Sequence, residues 1–223
     1  NAPSLRVELE NEGIIFETKN SDTEVLIRLY AKEGIKMLEK LNGMFAFSIY
    51  DKKRNQIYCV RDHFGIKPLY YSVENSRLSF ASELKSLSIL PWITKAFNYH
   101  SIYHFFSFQY VPSPDTIYSK VKKLAPAHYL RWNLKDNSYD VNKYWTPEFN
   151  NRKFSNLNEA SDYINDELKK AVSRWTLSDV PIACSLSGGI DSSTIVSLVA
   201  TKTKNIKTFT LGFEDSIDID ERA

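Results

Sequence analysis

The densest concentration of anion-binding groups in this sequence is Ser187-Gly188-Gly189-Ile190-Asp191-Ser192-Ser193. Two adjacent glycines permit positive φ and let a ligand approach the backbone closely. Where such a turn opens a helix, the first N–H groups have no internal partner and carry partial positive charge, so an anion is held well there. Ser187, Ser192 and Ser193 add hydroxyls. Asp191 would repel a bare phosphate, but it can hold a magnesium ion or cap the helix. No Walker-type lysine follows, which disfavours transfer of a γ-phosphate. The plainer alternative is a tight strand-to-helix turn capped by Asp191.

A second group of chemically capable residues is Arg61, Asp62, His63 and Lys67. They could form a catalytic cluster. The structural alternative is favoured: an Arg–Asp pair beside a turn made by Gly65 and Pro68, tying two strands together. His63 alone is no general base without a partner in reach. Asp22 lies in Ser21-Asp22-Thr23-Glu24, which has capping-box spacing and reads first as a helix start. The two cysteines, Cys59 and Cys184, sit inside apolar runs, so no disulfide framework is expected and a reducing cytoplasm is the default.

The elements that must position these residues fall into two textures. Up to about residue 150 the chain is dominated by short strand-like runs. A helix is expected after Ser21, with Val25, Leu26, Leu29 and Tyr30 at helical spacing. Gly34 interrupts it, and Ile35, Leu38 and Leu41 resume its buried face. Residues 44–50 and 56–61 read as strands joined by a polar turn, apolar on both faces and so covered on both sides. Hairpins are expected over 69–81 and 128–145, and an aromatic helix over 98–108. The polar stretch 146–155 is the linker. From 156 onward helix, strand, helix and strand alternate. Asn156 and Glu159 have cap spacing, and Ala160, Ile164, Leu168, Val172 and Trp175 form a stripe expected to be buried. Residues 180–186 read as a buried strand, 192–202 as a helix and 206–213 as a second, parallel strand.

Composition supports folded domains. The chain has 223 residues, 43% of them hydrophobic, enough for one large core or two small ones. A net charge of +2 carries no nucleic-acid footprint, and the runs Lys52-Lys53-Arg54 and Lys120-Val121-Lys122-Lys123 read as solvated turns. No apolar stretch reaches the roughly 18–20 residues that span a bilayer.

Ser-Leu-Ser-Gly-Gly-Ile-Asp-Ser-Ser, led in by Ser178-Asp179-Val180-Pro181, resembles the pyrophosphate loop of ATP-pyrophosphatase enzymes, in particular their asparagine synthetase branch. That resemblance implies that Ser187, Gly188, Gly189, Asp191 and Ser192 bind pyrophosphate, with magnesium at Asp191. It implies further that Ser185 and Leu211 lie beside adenine, Leu211 belonging to Thr208-Phe209-Thr210-Leu211-Gly212. Ser185 stands where an apolar residue is more usual, and Ala183 where glycine is frequent. Leu41-Asn42-Gly43-Met44-Phe45-Ala46-Phe47, the run from Arg61 to Tyr71 and Phe80-Ala81-Ser82-Glu83-Leu84-Lys85-Ser86-Leu87 resemble the glutaminase domain of glutamine-hydrolysing asparagine synthetases. The implied fold is an α+β N-terminal-nucleophile-type sheet domain over 1–150, followed by an α/β parallel-sheet ATP-pyrophosphatase domain over 156–223, both incomplete.

The implied substrates are glutamine, aspartate and ATP, with no nucleic acid and no membrane, in the cytoplasm; a homodimer is left open. Asp22 falls where the family binds the α-amino group of glutamine. The family's nucleophilic N-terminal cysteine has no counterpart at Asn1, so no catalytic residue is assigned here and that cysteine is expected upstream. The rest of the synthetase domain is expected downstream. Related amidotransferases and cyclases act on other carboxylates, including sugars, peptides and β-lactam precursors, and an inactive fragment is a further alternative.

Overall fold

The computed structural model describes residues 1–149, 151–203 and 205–212. The chain separates into one unit over Asn1–Glu148 and a second that begins at Phe149.

In the first unit, α1 (Ala2–Asn11) buries Leu5 and Leu9, one helical turn apart. No element is expected there from the sequence alone. Helix α2 (Asp22–Glu33) starts where the cap spacing predicts, with Ser21 Oγ accepting from the Glu24 N–H at 3.2 Å. Glu24 does not return to the cap amide as in a capping box. Its carboxylate instead accepts from the Thr18 hydroxyl and from the Glu17 and Thr18 amides, which hold its carboxyl down to about 2. The preceding loop is thereby pinned to the helix start. Gly34, at φ 63°, ends α2, and a 3-10 segment over Gly34–Lys40 buries Met37 and Leu38.

Then follow β1 (Ala46–Asp51), β2 (Gln56–Arg61), β3 (Tyr70–Glu74), β4 (Arg77–Ala81), α3 (Leu84–Ser88), α4 (Tyr99–Phe108), β5 (Val121–Lys123), β6 (His128–Asn133) and β7 (Tyr139–Lys143). They build two antiparallel sheets, in the orders β1-β2-β6-β7 and β4-β3-β5. Strand alternation sends Phe47, Ile49, Tyr58 and Val60 into a core with Leu5, Leu9, Val25 and Leu29 of the helices. It sends Ala46, Ile57, Cys59, Leu130 and Trp132 into a second core with Leu69, Tyr71 and Val73 of the other sheet. The first sheet is therefore covered on both faces, as its doubly apolar strands predict.

One expectation is overturned here. Lys120-Val121-Lys122-Lys123 is not a solvated turn, because Val121–Lys123 is strand β5, paired with β3 from Tyr70 to Ser72. Val121 is fully buried beside Leu87 and Ile93. The lysine heads escape the core along their own stems. Lys122 reaches Asp115 at 2.7 Å, and the Lys123 ammonium donates to the Val111 carbonyl at 2.6 Å. Lys52-Lys53-Arg54 does form an exposed turn.

At the end of β1, Asp51 is buried. Burial opposes its charge, but the Arg54 amide and guanidinium and the Tyr30 hydroxyl together hold its carboxyl down to about 2. Because the folded value lies below the ordinary 3.8, the stability it contributes is complete above about pH 4. That stability is lost as pH falls toward 2. Asp51→Asn is expected to destabilise the chain at pH 7 and to flatten this acid limb, measured by urea unfolding at a series of pH values. An acid limb identical to that of the unsubstituted chain would refute the assignment.

In the second unit, α5 (Leu157–Trp175) is capped by Asn156, whose side chain accepts from the Glu159 N–H at 2.9 Å. Glu159 in turn accepts from the Ser155 N–H at 2.8 Å. Its apolar stripe is not buried as expected: Val172 is, while Ile164 is 61% and Trp175 59% exposed. The 180–186 run is likewise not a buried strand. Only β8 (Ala183–Ser185) forms, and Val180 is 68% exposed. After α6 (Ile190–Ala200) comes β9 (Lys207–Phe209), parallel to β8 with Cys184 opposite Thr208. Two three-residue strands offer too little surface, among the described residues, to cover a 19-residue amphipathic helix. The strand–helix–strand order and parallel pairing match the sequence reading; Phe213 lies outside the described residues.

Candidate functional site

The glycine-rich loop leaves the carboxyl end of β8. Gly188 adopts φ +76°, a left-handed conformation that disfavours any side chain. Gly189 is the N-cap of α6, at φ −70° and ψ 158°. The loop is latched by its own serines. Ser192 Oγ accepts from the Ser187 N–H at 3.2 Å, lies 3.0 Å from Ser187 Oγ and donates to the Gly189 carbonyl at 3.1 Å. The first intrahelical bond joins the Ser193 N–H to the Gly189 carbonyl at 3.0 Å, so the amides of Ile190, Asp191 and Ser192 have no intrahelical partner. Two serine side chains and three amides without intrahelical partners thus meet at a helix N-terminus, an arrangement suited to phosphate oxygens.

The neighbouring strand is tied to this loop. The Leu186 N–H donates to the Phe209 carbonyl at 2.9 Å, and the Thr210 hydroxyl donates to the Leu186 carbonyl at 2.7 Å. Ser185 ends β8 opposite Phe209, and Leu211 follows two residues past Phe209, so both lie toward the carboxyl ends of a parallel pair, where open α/β sheets take ligands. Both are exposed, Leu211 to 68%. Thr210 has a part that the sequence analysis did not assign; its place beside Leu211 in the Thr-Phe-Thr-Leu-Gly run is the only signal. Asp191 is exposed in the first turn of α6. Among the described residues no group of three or more His, Cys, Asp or Glu side chains converges as a metal cage. A single carboxylate is chemically compatible with magnesium, which can complete its shell with water and other oxygens.

In the first unit, the Arg61 to Lys67 cluster is structural, but not as an Arg–Asp pair. The fully buried Asp62 carboxylate accepts four backbone N–H groups: Phe45 at 3.2 Å, Phe64 at 3.2 Å, Ile66 at 2.9 Å and Lys67 at 2.9 Å. The Arg61 guanidinium donates to the carbonyls of Lys67, Leu124 and Gly65 at 2.9, 2.6 and 2.7 Å. Each ion neutralises backbone dipoles instead of its neighbour, because the corner between β2 and β3 leaves those groups without strand partners. Burial pushes the Arg61 pKa down, partly offset by the Asp62 charge. Gly65 closes the corner at φ +67°, where an added Cβ would come within 2.8 Å of Pro126. His63 sits among the rings of Phe45, Tyr144 and Trp145, the last 4.9 Å away, and burial pushes its pKa down. That is an aromatic setting, not the carboxylate-oriented setting of a general base.

Asp22 is exposed in the first turn of α2, and its nearest polar contact is the Thr23 hydroxyl at 3.4 Å. Ser21 does the capping, so the Asp22 carboxylate is available. Asn1 ties the start of α1 to the segment before β1. Its side chain accepts from the Asn42 N–H at 2.8 Å and donates to the Lys40 carbonyl at 2.9 Å. Cys59 lies deep in the core between the sheets, where burial pushes its thiol up to about 12. A cavity of about 560 Å³ beside α4, lined by Tyr70, Ile102, Phe105 and Lys123 among others, contains none of the sequence-predicted site residues.

Comparison with known proteins follows the same division. The asparagine synthase family model matches residues 163–223. The "Asparagine synthetase [glutamine-hydrolyzing] 1" of Bacillus subtilis is 38% identical over 94% of this chain and 33% of that protein. The "Putative asparagine synthetase [glutamine-hydrolyzing] 2" of Methanocaldococcus jannaschii is 33% identical over 95% of this chain and 42% of that protein. "Amidase chry2" of Gibberella zeae is 31% identical over 92% of this chain and 32% of that protein. The chain thus spans about a third of the length of the curated relatives it matches. A solved glutamine phosphoribosylpyrophosphate amidotransferase from B. subtilis aligns at 21% identity and TM-score 0.44, over 94% of this chain and 43% of that one. The glutamine amidotransferase domain model matches residues 1–145, well over half of the sequence, and the chain belongs to that family.

Proposed function

We propose that this chain is the portion of a glutamine-hydrolysing asparagine synthetase that joins its glutaminase domain to the nucleotide loop of its synthetase domain. The observation that carries this reading is the Ser187–Ser192 latch at the start of α6, which presents hydroxyls and helix amides together without a lysine. Such a site grips the pyrophosphate end of ATP and leaves the α-phosphorus to a nucleophile.

In the proposed reaction a carboxylate oxygen of aspartate attacks that phosphorus and the bond to pyrophosphate breaks. Ammonia released from glutamine then displaces AMP from the acyl carbon, giving asparagine. Ser187, Gly188, Gly189 and Ser192 hold the departing pyrophosphate. The backbone at Ser185 and Leu211 receives adenine. Asp191 would hold a magnesium ion, which neutralises charge on the phosphates when bound. The Asp22 carboxylate, at the start of α2, pairs with the α-ammonium of glutamine. A cytoplasmic location follows from these substrates.

Asp22 offers a test. In the whole protein, Asp22→Asn is expected to raise the KM for glutamine by about 100-fold or more, the loss of one charge-assisted contact of roughly 3 kcal/mol. Synthesis from added ammonium salt should stay near the unsubstituted rate. Equal losses with glutamine and ammonia would remove Asp22 from the glutamine site.

The similarity to a protein named an amidase supports a second reading, in which the adenylated carboxylate belongs to another acceptor. ATP cleavage that depends on glutamine but not on aspartate would favour it.

A further inference from the structure

We propose that His100 and His104 form a surface site for a borderline divalent transition metal ion, with Cu2+ bound most tightly and Ni2+ and Zn2+ less so. Both lie on α4, four residues apart and therefore on one face, one above the other. Their ring centroids are 4.1 Å apart, with planes inclined at 62°. A metal about 2.0–2.1 Å from one nitrogen of each imidazole lies roughly 3 Å from each ring centre, so two such rings stand roughly 4.5–5 Å apart. Small side-chain rotations bridge that difference without moving the backbone.

The surroundings favour this chemistry. Among the described residues neither ring is engaged in a hydrogen bond, so its nitrogens are available; His128, by contrast, has Nδ1 2.7 Å from the Pro126 carbonyl. His104 is half-buried and flanked by the rings of Tyr103 at 6.3 Å and Phe108 at 5.7 Å, which fix one ligand. His100 is exposed, leaving the rest of the coordination sphere to water. The helix Tyr99–Phe108 carries no carboxylate and no ammonium. It therefore offers neutral nitrogen donors, which suit copper, nickel and zinc and which oxygen-seeking magnesium or calcium pass over. With two protein ligands the site is open and exchangeable, unlike a four-ligand structural zinc site. A bound ion would lock the first two turns of α4 by mass action.

The test uses the untagged whole protein that contains this chain. Titration with CuCl2, NiCl2 or ZnCl2, followed calorimetrically, is expected to give one saturable step per chain, strongest for Cu2+, that excess Mg2+ does not displace. His100→Gln and His104→Gln should each weaken that step by at least about 10-fold, since each removes one of the two ligands and loss of even an outer-shell partner of a ligand costs about 10- to 100-fold. His128→Gln should leave it unchanged, and denaturing urea, which dissolves the helical spacing, should abolish it. Far-ultraviolet circular dichroism of each variant confirms that the fold is retained. Full affinity in His104→Gln, an equal loss in His128→Gln, or a step that persists in urea would each overturn the proposal.

Discussion

Asp62→Ala is expected to cost the first unit most of its stability. The buried carboxylate accepts the amides of Phe45, Phe64, Ile66 and Lys67. Truncation leaves these four N–H groups without their acceptor at a partly buried corner. Each orphaned donor costs about 1–3 kcal/mol, so the sum approaches the roughly 5–15 kcal/mol that holds a whole domain together. Asp62→Asn should be intermediate. It keeps one acceptor oxygen and turns an NH2 group toward the other two amides. Urea unfolding followed by tryptophan fluorescence measures both variants, since Trp145 packs against His63 and Phe64 next to this corner. A loss below about 1 kcal/mol for Asp62→Ala would mean that water can replace the carboxylate, and the corner would not be the clamp described here.

Gly188→Val addresses the nucleotide loop. At φ +76° a β-branched residue pays about 1–2 kcal/mol for the left-handed backbone. The loop can escape only by rotating, which breaks the register of Ser187 with Ser192 and withdraws at least one N–H from the anion. A hydrogen bond to a charged group is worth about 1.5–3 kcal/mol. Rotation relieves the strain but forfeits that bond, so the whole protein is expected to bind ATP about 10- to 100-fold more weakly, at 1.4 kcal/mol per tenfold. The thermal midpoint of the first unit should not move. Binding within about threefold of the unsubstituted protein, a change below 1 kcal/mol, would show that the loop does not contact the phosphates.

Local rules made much of this legible in the sequence. Ser21 and Asn156 announced their helices because a cap is a contact between residues three apart. The hairpins over β1 to β4 were readable from alternation and polar turns. The loop at Ser187 was readable because glycines, serines and a helix start are all adjacent in the chain. What escaped depends on distant partners. β5 is hidden because three of the four residues from Lys120 to Lys123 are lysines, and only the pairing with β3 reveals Val121 as core. α1 was hidden because Leu5 and Leu9 are a thin stripe whose burial depends on α2 and the first sheet. The Arg61–Asp62 pairing was misassigned because adjacency suggests an ion pair, whereas the backbone groups left free at a corner are the stronger claimants. The stripe of α5 was read correctly as apolar, but burial is a property of the neighbours that cover it. For the same reason Thr210 could not be linked to Leu186 from spacing, since 24 residues separate them.

The fate of ATP in the whole protein supplied with glutamine and aspartate distinguishes adenylation from phosphoryl transfer. Cleavage is expected between the α- and β-phosphates, with AMP and pyrophosphate each formed in amounts equal to asparagine, and with both products sharply reduced in Gly188→Val. Formation of ADP and inorganic phosphate, or AMP release that does not require aspartate, would contradict the proposed adenylation of aspartate.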